Sequence, residues 1–138
     1  MPKWEVHDKW AEKMRLSKEI VNFVNHLSDF PDKTREFIEF CEREGEEMIL
    51  QLVRTHDFSM IMKIPKYLQL MFMRQKGSEY MMVWYLHYVL DYIRMAPALT
   101  AGEVLQRTEE RFGSCDELER VRKFILENEK AVVSDCRA

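Results

Sequence analysis

Apolar residues along this chain recur three and four positions apart, which is the repeat of one helix face. Between Lys3 and Met14 this places Trp4, His7, Ala11 and Met14 on a common side. Ser17 stands where an N-cap is expected for a second helix carrying Ile20, Val21, Phe23, Val24 and Leu27. Asp29-Phe30-Pro31-Asp32 then punctuates the chain, with the proline suited to a first helical turn. A third helix is predicted through Phe37, Ile38, Phe40 and Cys41 towards Val53, with Gly45 among charges as the point of a kink. The segment Met60 to Lys76 reads as a helix interrupted or started near Pro65, Gly77 stops it, and Ser78 is read as the cap of the next.

That next segment, 79–94, is apolar on every side, from Tyr80-Met81-Met82-Val83-Trp84 to Leu90-Asp91-Tyr92-Ile93. A helix apolar all round is buried all round, so it is placed at the centre. Thr100 to Glu103 and Ser114 to Glu117 both have the spacing of a capping box. They open two final helices, Val104 to Phe112 and one carrying Leu118, Val121, Phe124, Ile125 and Leu126, as an αα-hairpin. The terminal Asp135-Cys136-Arg137-Ala138 is expected to fray. The fold predicted is all-α, an irregular bundle of about six or seven helices around a buried central helix (79–94), in a single helical domain over 1–138.

Composition agrees with helices. Only 4 Gly and 4 Pro stand among 138 residues, too few for the turns of an all-β fold. At 46% hydrophobic the chain has the apolar surface needed to offset ordering entropy. A formal net charge of −3 argues against general nucleic-acid binding, which depends on Lys and Arg neutralising phosphates. Lys63, Lys66, Arg74 and Lys76 read as the solvated side of a helix. The 3 cysteines, Cys41, Cys115 and Cys136, are too widely spaced for a zinc or redox motif. With no signal core and no apolar run of roughly 20 residues, the expectation is a cytoplasmic protein with free thiols and no membrane segment.

No glycine-rich phosphate loop, nucleophile elbow or His-Glu-x-x-His is present. What carries chemistry is polar residues in apolar surroundings. His87 and Asp91 lie one helical turn apart on the central helix, where aspartate needs a partner. Arg94 is the nearest candidate in sequence. His7 and His56 each precede an aspartate, Asp8 and Asp57, and His26 ends the second helix. Imidazole and carboxylate together suit a divalent transition metal. The candidate ligand set is therefore His7, His56, Asp57, His87 and Asp91. The competing reading makes these core groups that satisfy one another and fix helix register.

The order of a histidine (His7 or His26), the His56-Asp57 pair and a later Asp91 resembles the HD-domain metal phosphohydrolases. That resemblance implies hydrolysis of a phosphate ester by metal-activated water. The chain departs from the family pattern after the pair, where Phe58-Ser59-Met60 follows, and in its short interval to Asp91. The first functional expectation is therefore a non-enzymatic protein-interaction or self-association module. It rests on the missing motifs and on methionine and aromatic surplus, as in Tyr67-Leu68-Gln69-Leu70-Met71-Phe72-Met73. That reading expects a homodimer or a partner protein and no cofactor. The alternative is the metal-dependent phosphohydrolase, with a divalent metal.

Overall fold

The computed structural model describes residues 4–44 and 64–138. Eight α-helical segments and one 3-10 turn make up these residues, with no strand among them. In chain order they are α1 (Trp4–Lys13), α2 (Lys18–Asp29), the 3-10 turn (Pro31–Lys33), α3 (35–44), α4 (Ile64–Lys76), α5 (Ser78–Met95), α6 (Ala101–Phe112), α7 (Asp116–Glu127) and α8 (Glu129–Arg137). The bundle around a central helix is as the sequence implied, with α8 a separate helix after Asn128 rather than a frayed end.

Helix α5 is the hub. It packs against α1, α2, α4, α6, α7 and α8. Val89, Leu90 and Ile93 are fully buried, and Trp84, Tyr85 and Leu86 nearly so. The apolar run that predicted a central helix is thus satisfied on several sides by different neighbours. Gln69 from α4 reaches into this core to accept the Trp84 indole N–H at 3.0 Å. Leu70, Phe72 and Met73 of α4 are also inside. Part of the aromatic and methionine surplus therefore fills the core, the ordinary use of such side chains.

The helix ends correct several sequence expectations. Ser17 occupies the N-cap of α2 without a side-chain bond, and its backbone N–H goes to Glu79 Oε1 at 2.6 Å. Gly77, not Ser78, is the N-cap of α5. Its φ of 141° is open to glycine and strained for any L side chain. Ser78 instead donates to Glu117 at 3.0 Å. The Thr100–Glu103 capping box is complete in both directions. The Ser114–Glu117 box does not form, because Cys115 is the N-cap of α7 and Ser114 turns back to Glu109.

The C-terminus is held rather than frayed. Cys136 is fully buried. Arg137 donates to the carbonyls of Ile93, Ala96 and Leu99 at 3.1, 3.1 and 2.7 Å. Two of these lie at or just past the end of α5, where carbonyls lack helical partners and a cation is favoured. Asp135 accepts from Lys9 at 2.7 Å and from the Trp10 indole at 3.0 Å, tying α8 to α1. No helix of the described residues is long and apolar enough to cross a membrane.

Candidate metal centre

Three helices supply the site because each carries polar residues on its inner face. On α1, His7 shares the buried side with Trp10 and Ala11, three and four positions on. On α2, Asn25 lies among Val21, Val24 and Leu27, and Asp29 follows one turn later. On α5, His87 and Asp91 stack one turn apart, as their spacing required. All of these inner faces meet on one side of α5.

There His7, His87 and Asp91 bring one ligand atom each to within 4.8 Å of one another. His7 Nε2 is 3.0 Å from Asp91 Oδ1, and His87 Nε2 is 3.2 Å from Asp91 Oδ2. Asp29 Oδ1 stands 3.6 Å from the same His87 nitrogen. The two imidazoles lie parallel, 4.0 Å apart at 7°. Both histidine side chains are 3% exposed, Asp91 13% and Asp29 16%. Asp29 is also gripped from outside by the Trp4 indole N–H.

Proton bookkeeping fixes what His87 can do. Asn25 donates its amide to Asp8 Oδ1 at 3.2 Å, since a carboxylate oxygen accepts. Its carbonyl oxygen must then be the atom 2.8 Å from His87 Nδ1. A carbonyl cannot donate, so His87 Nδ1 carries the hydrogen. A neutral His87 therefore presents the lone pair of Nε2 beside two carboxylates, 3.6 and 3.2 Å away. That is repulsive unless a cation sits between them. The nitrogen is buried and has no hydrogen-bond partner. His7 Nδ1 is likewise buried without a partner.

Two occupants resolve this arrangement, a proton or a metal ion. Without metal, burial works against a charge on His87, but the Asp29 and Asp91 carboxylates prevail and raise its pKa. His7 moves the other way, lowered by burial and by the neighbouring His87, against its bond to Asp91. Burial also opposes ionisation of Asp91, yet the two histidines hold it well below the usual carboxylate range. Asp29 is lowered by His87 against the cost of burial, with help from Trp4.

The donor set also fits a divalent transition metal. One ligand atom from each of His7, His87 and Asp91 lies within 4.8 Å of the others, against roughly 3.4 Å between the ligands of a tetrahedral ion. The Asp8–Asn25–His87 chain fixes the tautomer and aim of His87, as outer partners do at metal histidines.

A cleft of about 400 Å³ reaches this cluster through Asp91 and is lined by Lys66, Tyr88, Tyr92, Met95 and Arg111. Burial pushes the Lys66 amine down in pKa, while Asp91 and Asp29 pull it back up. Arg111 donates to the Tyr88 hydroxyl at 2.8 Å.

No protein-family profile, characterised protein or solved structure matches this chain.

Of the residues singled out in the sequence, His7, His87 and Asp91 come together. His56 and Asp57 lie outside the described residues. His26 is exposed and packs against Phe30, so His7 is the histidine at the cluster. Arg94 is not the partner of Asp91, since its guanidinium turns out to Ala138. Sequence reasoning passed over Asp29, taken as punctuation, Asn25, and Lys66, taken as part of a solvated face. The signal for the first two was a polar pair four apart on an otherwise apolar stripe of α2.

Proposed function

We propose that the chain is a metal-dependent hydrolase built on one divalent-metal centre, with His7, His87 and Asp91 as ligands and Asp29 beside them. The observation that carries this reading is His87 Nε2, buried beside two carboxylates without a hydrogen-bond partner, on a ring whose Nδ1 hydrogen is taken by Asn25, so that the neutral ring offers its lone pair there. Three protein ligands would leave a fourth position of a tetrahedral ion open, the pattern of catalytic rather than structural sites. A divalent ion would make a bound water acidic and polarise a scissile bond. Asp29, with one oxygen pinned by Trp4, keeps the other turned to the same point and is the group placed to accept a proton there.

The test loads the full chain with Zn(II), Mn(II) or Co(II) and measures hydrolysis of p-nitrophenyl phosphate and p-nitrophenyl acetate. Turnover that needs metal, disappears in Asp91→Asn and is lost in Asp29→Asn with metal still bound supports the reading. Metal-bound protein without turnover on any ester contradicts the catalytic half of it.

A second reading, association with another copy or a partner protein, draws on one surface feature. Trp4 and Phe30 are 42% and 41% exposed and meet edge to face at 6.3 Å, forming an apolar corner between α1 and the end of α2. Sedimentation of the wild type beside Phe30→Glu tests it. A monomer at every concentration in both ends the self-association form of this reading.

A further inference from the structure

The cleft beside Asp91 joins two cationic side chains to an aromatic wall. Lys66 from α4 and Arg111 from α6 line it together with Tyr88, Asp91, Tyr92 and Met95 of α5. Its volume is about 400 Å³, within the range of small-molecule pockets. Tyr88 and Tyr92 stand edge to face at 6.0 Å, and Tyr88 is braced by Phe112 at 5.2 Å and by Arg111 at its hydroxyl. This gives a held aromatic surface rather than loose side chains.

Charge decides which ligand suits it. Without metal, the Asp91 and Asp29 carboxylates offset Lys66 and Arg111. A divalent ion among His7, His87, Asp91 and Asp29 neutralises those carboxylates. The two cations then face the cleft uncompensated, a surplus of about two charges. A phosphate monoester carries about −1.5 to −2 near neutral pH, which matches that surplus. Lys66 shares the cleft with Asp91, whereas Arg111 lies along the wall at Tyr88. The apolar wall between them suits a flat ring, and stacking of a ring on tyrosine adds to binding.

We infer that this cleft binds an aromatic phosphate monoester, with its phosphate at Lys66 and the metal and its ring along the tyrosine wall, where Arg111 adds positive charge. The inference rests on the metal-centre reading, and the experiment separates the two. Calorimetric titration of the full chain, with and without one equivalent of Zn(II), would use benzylphosphonate as an unreactive probe beside inorganic phosphate. Zinc stoichiometry is measured on every sample and reports an intact site.

The expected result is binding of benzylphosphonate only by the zinc-loaded protein, weakened at least about tenfold in Lys66→Met and in Arg111→Gln with zinc still bound. Tyr92→Ala should weaken benzylphosphonate while leaving inorganic phosphate unchanged. Zinc bound but benzylphosphonate held equally by wild type and Lys66→Met would overturn the inference and leave the metal centre standing. Equal binding of benzylphosphonate and phosphate would overturn the aromatic part. Failure to bind zinc at all would overturn both.

Discussion

Replacing Asn25 with leucine probes the proposed metal centre without touching a proposed ligand. The two side chains have nearly the same shape, and Asn25 is 2% exposed, so the packing of α2 on α5 is retained. What is lost is the acceptor 2.8 Å from His87 Nδ1 and the donor to Asp8. A buried N–H left unpaired costs about 1–3 kcal/mol. His87 can escape that cost by moving its proton to Nε2, which is the position a metal requires free. Outer partners of metal histidines are typically worth roughly 10- to 100-fold in affinity, or about 1.4–2.7 kcal/mol. Asn25→Leu should therefore weaken zinc binding by that factor, read by competition with a chromophoric chelator. Asp8→Ala should weaken it less, and the double variant should be no worse than Asn25→Leu, because both act through one chain of bonds. Unchanged zinc affinity in Asn25→Leu, with the fold intact by circular dichroism, would refute the proton argument.

Other consequences concern the frame around the site. Thr100→Ala removes one side of the complete capping box on α6 and should destabilise the protein by about 1 kcal/mol in denaturant melts. Arg137→Ala removes its bonds to three carbonyls around the end of α5, of which Ala96 keeps the Leu99 N–H, and should cost about 1–3 kcal/mol, with faster amide exchange near Ile93 to Leu99. In chelator, the lowered pKa values of Asp29 and Asp91 make their stabilisation fully present above the unfolded carboxyl range. It drains as pH falls from about 5 through 4 and below, so denaturation midpoints should fall there, and less steeply in Asp91→Asn.

The central helix was legible because an apolar run on every side leaves burial as its only stable setting, and α5 has that run. The pairing of His87 with Asp91 was legible from spacing alone. Their meeting with His7 was not, since it depends on how α1 crosses α5, a tertiary fact that no local period encodes. Asp29 was hidden for a different reason. It closes α2 just before Phe30-Pro31, where aspartate is ordinarily a turn residue, and only the bundle turns it towards His87. Ser114–Glu117 misled because a capping-box spacing is common, and Cys115 took the cap while Ser114 bonded Glu109. Lys66 was read as solvated because charge usually is, whereas its position on α4 lines the cleft beside Asp91.

The proposal that His7, His87 and Asp91 bind one divalent metal ion has a decisive spectroscopic consequence. The most direct test is X-ray absorption of the zinc-loaded chain together with its metal stoichiometry. One zinc per chain, with two imidazoles and oxygen ligands at about 2.0–2.2 Å, is the predicted result, and His87→Ala should abolish it. Zinc that stays substoichiometric, or binds equally well after His87→Ala, would contradict the account and leave the cluster as a proton-bridged element of the core.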